Sequence, residues 1–197
     1  MRIALLTSFY EPHKGGTERY VADLGAHLAK RGHEVTVFTH TRGSSRTHAG
    51  VRIERLWAFW LLYTPLLRKR VAASLQGFDV IHSHIPPSVF AEEGPFPAQV
   101  PHIITYHCDT LIPPRFRGIK IPALLRGRIN TVLRHKAERV LRQANAIIVT
   151  SWDYALTSEV LQGLRVVPIP VGINAQRFAS AAASGTVSVM PGYASAV

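Results

Sequence analysis

The stretch Arg2–Thr39, which reads RIALLTSFYEPHKGGTERYVADLGAHLAKRGHEVTVFT, contains a complete strand–loop–helix–strand pattern. Arg2–Ser8 is a short apolar segment typical of a buried strand, and apolar residues recur at helical spacing through Thr17–Arg31. Gly32 stands where the helix needs a left-handed residue to end, and Glu34–Thr39 has the composition of a second strand. Two strands joined by one helix pair in parallel through a right-handed crossover, so this stretch predicts a parallel sheet.

The alternation of strands and helices continues along the chain. It predicts further strands at Val51–Leu56, Val80–His84, His102–Cys108, Ala146–Thr150 and Arg165–Val171, and helices at Leu66–Leu75, Ile121–Leu141 and Trp152–Leu161. The longest of these helices has a broad apolar stripe formed by Leu124, Leu125, Ile129, Val132, Leu133, Val140 and Leu141. We therefore expect an α/β protein with a doubly wound, mostly parallel sheet of about seven strands and helices on both faces.

Composition narrows the class of protein. The length of 197 residues suits one globular domain or at most two small ones, and a hydrophobic content of 47% excludes a disordered chain. Cys108 is the only cysteine, which excludes a disulfide framework and a multi-cysteine zinc module. The longest apolar run, Leu56–Tyr63, is too short to span a bilayer, and the N-terminus lacks the pattern of a signal peptide. We expect a cytoplasmic protein, soluble or peripheral on the cytoplasmic face of a membrane.

The loop after the first strand contains Gly15 and Gly16, and it lies at the carboxyl edge of the predicted sheet. At that edge, helix N-terminal amides and a closely approaching backbone favour a phosphate group. A tight turn that needs glycine explains the pair equally well, and the G-x-G-x-x-G spacing of a dinucleotide site is absent. No hydrolase elbow or P-loop motif is present either.

Histidines cluster at the predicted strand ends. His82 and His84 close one strand, His107 closes the next, and His13 lies in the glycine loop. These strand ends face one crevice, so we expect histidines that contact a ligand. Three or four converging histidines could bind zinc, but apart from Cys108 and Asp109 no cysteine or carboxylate has matching spacing, so we expect no metal.

The segment Arg115–Arg142 contains nine Lys and Arg residues against the single acid Glu138, within a chain whose net charge is +11. A solvated helix face is the ordinary interpretation of such a segment. An anionic membrane or a phosphorylated acceptor is the alternative, and the order of the aromatic residues Trp57–Tyr63 before Arg68–Arg70 also suits a membrane interface. We do not expect nucleic acid as a partner, since no recognisable nucleic-acid-binding motif accompanies the charge.

Composition changes after Phe178, because the remainder, ASAAASGTVSVMPGYASAV, is uncharged and rich in Ala, Ser and Gly. We expect residues 179–197 to form a linker or a disordered tail. Residues 1–178 then form the folded domain.

Five segments follow one another along the chain: SFYEPHKGGTERYVADLGAHLAKRGHEVTVFT, VIHSHIPPS, IITYHCDT, RVLRQANAIIVTSWDYALTSEV and VVPIPVGINAQRF. Together and in this order, they resemble glycosyltransferase family 4. The likeness covers Met1 to about Phe178. The closing segment departs from the family pattern at Val171 and Asn174, where Asn and Asp are usual.

The resemblance implies that residues 1–178 form the N-terminal, acceptor-side Rossmann-like domain of a GT-B fold, with the C-terminal donor-binding domain absent. Such enzymes transfer a sugar with retention from a nucleotide-diphosphate sugar to a glycan, lipid or other acceptor, without a metal or other cofactor. The missing domain, or a partner chain that supplies it, is an expected partner. A non-catalytic module that docks on anionic membranes or on a partner subunit is the alternative.

The resemblance also implies roles for individual residues. Gly15 and Gly16 correspond to the residues that approach the donor diphosphate, and His107 corresponds to the catalytic histidine at the transferred sugar or the leaving phosphate. The expected acceptor contacts are Tyr10, His13, Lys14, His84 and Asp109.

Overall fold

The computed structural model describes residues 1–61, 64–68, 71–86, 90, 92, 96–116 and 118–172. Strands and α-helices follow the order β1 (Arg2–Leu6), α1 (Gly16–Lys30), β2 (Glu34–Thr39), β3 (Arg46–His48), β4 (Val51–Arg55), β5 (Ala58–Leu61), β6 (Thr64–Arg68), β7 (Val80–Ile85), β8 (His102–Tyr106), β9 (Arg115–Phe116), β10 (Ile119–Lys120), α2 (Ala123–Arg142), β11 (Ala146–Val149), α3 (Trp152–Thr157) and β12 (Val167–Pro168). The expected tail, residues 179–197, and the domain boundary near residue 178 lie outside the described residues.

The main sheet has eight strands in the order β12-β11-β8-β7-β1-β2-β4-β3. Neighbours pair in parallel, except that the edge strand β3 runs antiparallel to β4. The predicted mostly parallel sheet is confirmed, with β3 added to the expected seven strands. This short strand escapes prediction because Arg46–His48 is polar and exposed. The chain reverses its direction of sheet growth between β1 and β7, which places the crevice of a doubly wound sheet at their carboxyl ends.

Helices cover both faces of the sheet, as predicted. On one face, Val21 of α1 packs against Leu5 and Ile53 in the core cluster of β1, β2 and β4. On the other face, Leu141 of α2 packs with Ile104 in a cluster that also includes α3 and β11. Each fully buried side chain of this kind contributes about 1.5–3 kcal/mol of transfer free energy, so these two clusters fix the helices on the sheet.

Two glycines, Gly25 within α1 and Gly32 just after it, explain how this helix packs and where it ends. Gly32 has φ +84°, which confirms the left-handed residue expected at the end of this helix. A Cβ added at Gly25 would lie 3.3 Å from Val51 Cγ2 and 3.4 Å from Leu5 Cδ1. The absence of a side chain at Gly25 therefore lets α1 lie close to the strands beneath it.

Three predicted elements are wrong in type or length. The helix expected at Leu66–Leu75 is replaced by a hairpin between β5 and β6 and by a single 3-10 turn at Ala72–Leu75. In the hairpin, the backbone groups form hydrogen bonds between strands. The helical spacing of apolar residues in the sequence does not reveal this pairing. The helix expected at Trp152–Leu161 stops at Thr157 and is followed by a 3-10 turn, and the last strand shortens to Val167–Pro168. Prolines in that last segment lack the N–H that a longer strand pairing needs.

The apolar stripe predicted along α2 does not form one buried face. Val140 and Leu141 at the end of the helix are 2% and 1% exposed and belong to the core. In contrast, Leu124, Leu125 and Val132 are 74%, 51% and 54% exposed. Successive residues of a helix are rotated by 100°, which directs these three side chains away from the sheet. The predicted apolar stripe therefore covers more of the helix circumference than the sheet can bury.

Within the described ranges, no helix is both long enough and apolar enough to cross a membrane.

Candidate functional site

The candidate site lies where the chain leaves β1, β7 and β8, next to the N-terminus of α1. The glycine loop follows β1, His84 is near the end of β7, and His107 follows β8 directly. The backbone N–H of His107 donates to the carbonyl oxygen of Ile85 at 2.9 Å, which extends the pairing of β7 and β8 by one residue. Parallel strands bring these segments to one edge of the sheet, as the sequence predicted.

Gly15 and Gly16 form the N-terminus of α1. Gly15 is the N-cap residue, has extended backbone geometry and provides no side-chain hydrogen bond to the first turn. The amide N–H groups of a first turn have no partners within the helix, and they carry the positive end of the helix dipole. A Cβ at Gly16 would meet no atom within 4 Å, so this residue leaves open space in front of the helix. Such a terminus is suited to an anion.

The buried side chain of Glu18 packs against the inner side of this loop. Its side chain is 8% exposed, and its Oε1 lies 2.7 Å from Nδ1 of His13. A Cβ added at Gly15 would overlap Oε2 of Glu18, so the carboxylate occupies the space that a side chain at Gly15 would need. Sequence reasoning missed Glu18, although an acid in the first helical turn directly after a glycine pair could have indicated it.

His107 belongs to a stack of aromatic rings beneath the loop. Its Nε2 lies 3.4 Å from Nδ1 of His84, and the two rings are 5.6 Å apart. Tyr20 of α1 meets both rings edge-on, at 5.2 Å from His107 and 5.7 Å from His84. His82 lies 4.4 Å below His84, and its Nε2 is bonded to Thr105 Oγ1 at 2.7 Å. The stack fixes the plane of the His107 ring.

The stacked histidines are neutral near pH 7. Burial lowers the pKa of His107 to about 4, although the negative charge of Glu18 opposes that shift. Burial, together with the charges of His102 and His107, lowers the pKa of His82 to about 4. The pKa of His84 falls well below its ordinary value for the same main reason. A neutral imidazole offers one N–H donor and one acceptor nitrogen, so His107 acts here as a hydrogen-bonding group rather than as a cation.

Two expected acceptor residues, His13 and Lys14, lie at the surface of the glycine loop, where the side chain of His13 is 54% exposed. Tyr10 and His84 are instead 3% and 2% exposed. Tyr10 packs in the core around α1, where burial raises its pKa to about 12. From these positions Tyr10 supports the loop and His84 supports His107, and neither side chain is presented to a large ligand.

Asp109 lies apart from the histidine stack. Its Oδ1 accepts hydrogen bonds from Tyr106 Oη and, at 2.7 Å, from Ser158 Oγ, and its backbone N–H donates to Tyr154 Oη at 2.6 Å. These bonds tie Asp109 to α3, on the face of the sheet opposite α1. There it lines a cavity of about 320 Å³ together with residues of α2 and α3. The structure therefore brings His107 and the glycine loop together but directs Asp109 elsewhere.

Arg55 holds the glycine loop from the side of β4. Its guanidinium donates to the carbonyl oxygen of Glu11 at 2.7 Å and to that of Ser44 at 3.1 Å. Burial is the largest cause of a lowered pKa at Arg55, with the nearby Arg46 charge adding to it. Sequence reasoning missed this residue, because a lone arginine at a strand end gives no sign of the loop that it binds.

Among the residues that the structure describes, no three His, Cys, Asp or Glu side chains are arranged to hold a metal ion.

Comparisons of the fold and of the sequence with known proteins each indicate the class of protein to which the chain belongs. The structure matches a GT-B glycosyltransferase domain, a chain of sucrose-phosphate synthase from Thermosynechococcus elongatus, with a TM-score of 0.57 and 20% identity over 93% of this chain and 96% of that chain. It is among 22 similar chains of known structure, and at this identity the likeness establishes the fold alone. Residues 14–177 match the model of Glycosyltransferase Family 4, so the chain belongs to that family. No curated protein is similar in sequence.

Proposed function

We propose that this chain is the acceptor-side domain of a retaining glycosyltransferase that moves a sugar from a nucleotide-diphosphate sugar to a glycan, lipid or other acceptor. One observation carries the proposal: the uncapped N-terminus of α1 stands beside His107, with Tyr20 of the same helix packed on the histidine ring. Family membership supplies the reaction class.

Each part of this arrangement has a role in the proposal. The N–H groups at Gly16 and the following first turn stabilise charge on the departing diphosphate, which is the largest electrostatic demand of such a transfer. His107 donates a hydrogen bond to the transferred sugar or to the leaving phosphate. His13 and Lys14, exposed at the loop, contact the acceptor. The nucleotide base and sugar are held by a C-terminal GT-B domain, carried by a longer chain or by a partner chain.

The first test is nuclear magnetic resonance of the 197-residue chain titrated with pyrophosphate and with UDP. We expect weak, millimolar binding, with amide shifts concentrated at Gly15, Gly16 and Thr17 and at the His107 ring. Gly16→Val should abolish these shifts, because the added side chain fills the open space in front of the helix. Gly127→Val on α2, where an added Cβ also meets no atom within 4 Å, is the matched control and should leave them unchanged.

Two results would contradict this proposal. Shifts that appear elsewhere and ignore Gly16→Val would remove the glycine loop from the donor site. Micromolar affinity for UDP alone would show that this domain holds the nucleotide by itself.

A second candidate function is a non-catalytic module that docks on an anionic membrane or on a partner subunit. The observation that favours it is the net charge of +11. Sugar transfer by the chain together with a donor domain, lost in Gly16→Val and retained in Gly127→Val, would exclude this candidate.

A further inference from the structure

Glu18 is a buried acid in the first turn of α1, beneath the glycine loop. The residue is only 6% exposed, so its carboxylate loses much of its hydration, which is costly unless polar partners compensate. The positive end of the helix dipole stabilises an anion at this position. A second partner is the imidazole of His13, whose Nδ1 lies 2.7 Å from Oε1 of Glu18.

This contact determines which nitrogen of His13 carries a proton. An ionised carboxylate can only accept hydrogen bonds, so Nδ1 of His13 is the donor in the pair. In a neutral imidazole the second nitrogen, Nε2, then has no proton and offers a lone pair. Glu18 therefore makes Nε2 of His13 a hydrogen-bond acceptor.

The ring of His13 is also held in one plane. Phe9 stacks on it, with the ring centroids 5.0 Å apart and the planes 28° from parallel. The backbone N–H of His13 donates to the carbonyl oxygen of Tyr10 at 3.0 Å, which fixes the turn that carries the ring. A side chain restrained in this way loses little conformational entropy when a ligand binds to it.

The restrained ring of His13 is accessible to a ligand. Its side chain is 54% exposed, in contrast to that of Glu18. It lines a cavity of about 280 Å³ together with Phe9, His40, Thr41 and Arg42. These residues follow the ends of β1 and β2, so the cavity lies at the same edge of the sheet as the glycine loop and His107.

We propose that Glu18 is a positioning residue that holds His13 as the Nδ1–H tautomer, so that Nε2 of His13 accepts a hydrogen bond from a hydroxyl group of the acceptor. The hydroxyl group turns its proton towards His13, which leaves a lone pair of its oxygen free to face the donor sugar. The proposal rests on the proposed function and deepens it, because it names the group of the acceptor that this domain recognises. The alternative is that Glu18 only stabilises the first turn of α1.

The first test is nitrogen-15 magnetic resonance of the imidazole rings in the 197-residue chain at about pH 8, above the ordinary histidine pKa of about 6.5. Two-bond correlations between ring nitrogens and ring protons distinguish the tautomers, and His13→Asn identifies the signals of His13. We expect a proton on Nδ1 and none on Nε2. A proton on Nε2, with or without one on Nδ1, would overturn the proposal.

A variant of Glu18 shows whether this residue sets the tautomer. Glu18→Met removes the hydrogen-bond acceptor but keeps the length of the side chain, and an apolar replacement of a buried ionic group is often tolerated. Circular dichroism should show the variant folded, and the ring of His13 should shift towards the Nε2–H tautomer. The matched control is Glu138→Met, since Glu138 Oε2 lies 3.3 Å from Nδ1 of His135. It should leave the His13 tautomer unchanged, whereas an unchanged tautomer in Glu18→Met would overturn the proposal.

The second test is sugar transfer by a preparation that includes the donor domain. The acceptor probes are octyl β-D-glucoside and glycerol, which offer hydroxyl groups, and hydrolysis of the donor by water is the reference reaction. In Glu18→Met the ratio of transfer to hydrolysis should fall about tenfold, the size expected for one lost hydrogen bond. Glu18→Met/His13→Asn should lose no more than His13→Asn alone, because Glu18 acts through His13. Glu138→Met should keep the ratio of the unchanged protein.

Failure of this proposal is distinguishable from failure of the proposed function. An unchanged ratio in Glu18→Met, or additive losses in the double variant, would show that Glu18 serves only the helix. Absence of transfer by the unchanged protein would instead contradict the proposed function. The tautomer of His13 is measured on the 197-residue chain alone, so it decides the role of Glu18 in either case.

Discussion

At the scale of single residues, the two glycines of the loop differ in a way that the sequence does not show. Gly15 is closed in by the Glu18 carboxylate, whereas Gly16 faces open space. Gly15 therefore serves the fold, because it leaves room for the buried acid. Gly16 is free to contact a ligand. A substitution at Gly16 can therefore change ligand binding without lowering the stability of the fold.

This difference predicts opposite effects on stability. Gly15→Ala should lower the free energy of unfolding by about 1–2 kcal/mol, because the methyl group displaces Glu18 from His13 and alanine is a poor N-cap residue. Gly16→Ala should leave it unchanged or raise it by up to about 1 kcal/mol, because alanine favours the helix. Urea unfolding measures both, and equal destabilisation would contradict the role assigned to Glu18.

His107 is the residue on which the proposed chemistry depends most. In a preparation that includes the donor domain, His107→Ala should lower kcat about a hundredfold or more, as expected when a hydrogen-bond donor to developing charge is lost. His48→Ala, on the exposed strand β3, is the control and should retain activity. Unchanged turnover in His107→Ala would place the histidine outside the site.

At the scale of elements, β7 and β8 are unusual because they bury histidines where parallel strands usually carry aliphatic side chains. His82 is bonded to Thr105, and His102 Nε2 lies 2.7 Å from Ser83 Oγ. Burial lowers the pKa of His82 and of His102 to about 4. Protonation of these rings therefore destabilises the two strands.

The pH dependence of stability follows from these strands. Below its ordinary pKa of 6.5 a histidine in the unfolded chain binds a proton, while the buried ring resists protonation until about pH 4. The unfolded state binds more protons in this window, so stability is present above about pH 6.5 and is lost as the pH falls towards 4. We expect a loss on the order of 3 kcal/mol, since each histidine contributes up to about 1.4 kcal/mol per pH unit.

Urea unfolding at neutral and at acidic pH checks this prediction. His82→Gln retains a hydrogen-bonding group for Thr105 but cannot titrate, so its stability should fall less steeply with acid. His48→Gln, at an exposed position, should follow the unchanged chain. The same steep slope in all three proteins would show that these histidines are not the cause.

At the scale of the whole molecule, the sheet separates the candidate site from α2. The glycine loop and the histidine stack lie on the α1 side, where the strand ends meet the helix N-terminus. On the other side, the buried residues of α2 are Val140 and Leu141 in its last turn, and its first turns expose leucines beside arginines. The positive charge of the chain is thus concentrated on a helix that the proposed site does not use.

The sequence by itself determined the parallel sheet, because the spacing of apolar residues in Arg2–Thr39 and in later segments reflects backbone geometry that is local. It also determined that Gly16, His84 and His107 meet at one edge, since strand ends in such a sheet always do. The tertiary structure alone decided what surrounds each side chain. Three features depend on which element packs opposite a residue: Glu18 beneath Gly15, Asp109 turned towards α3, and the outward leucines of α2. The periodicity of the sequence predicts which residues share a face, but it does not predict what packs against that face.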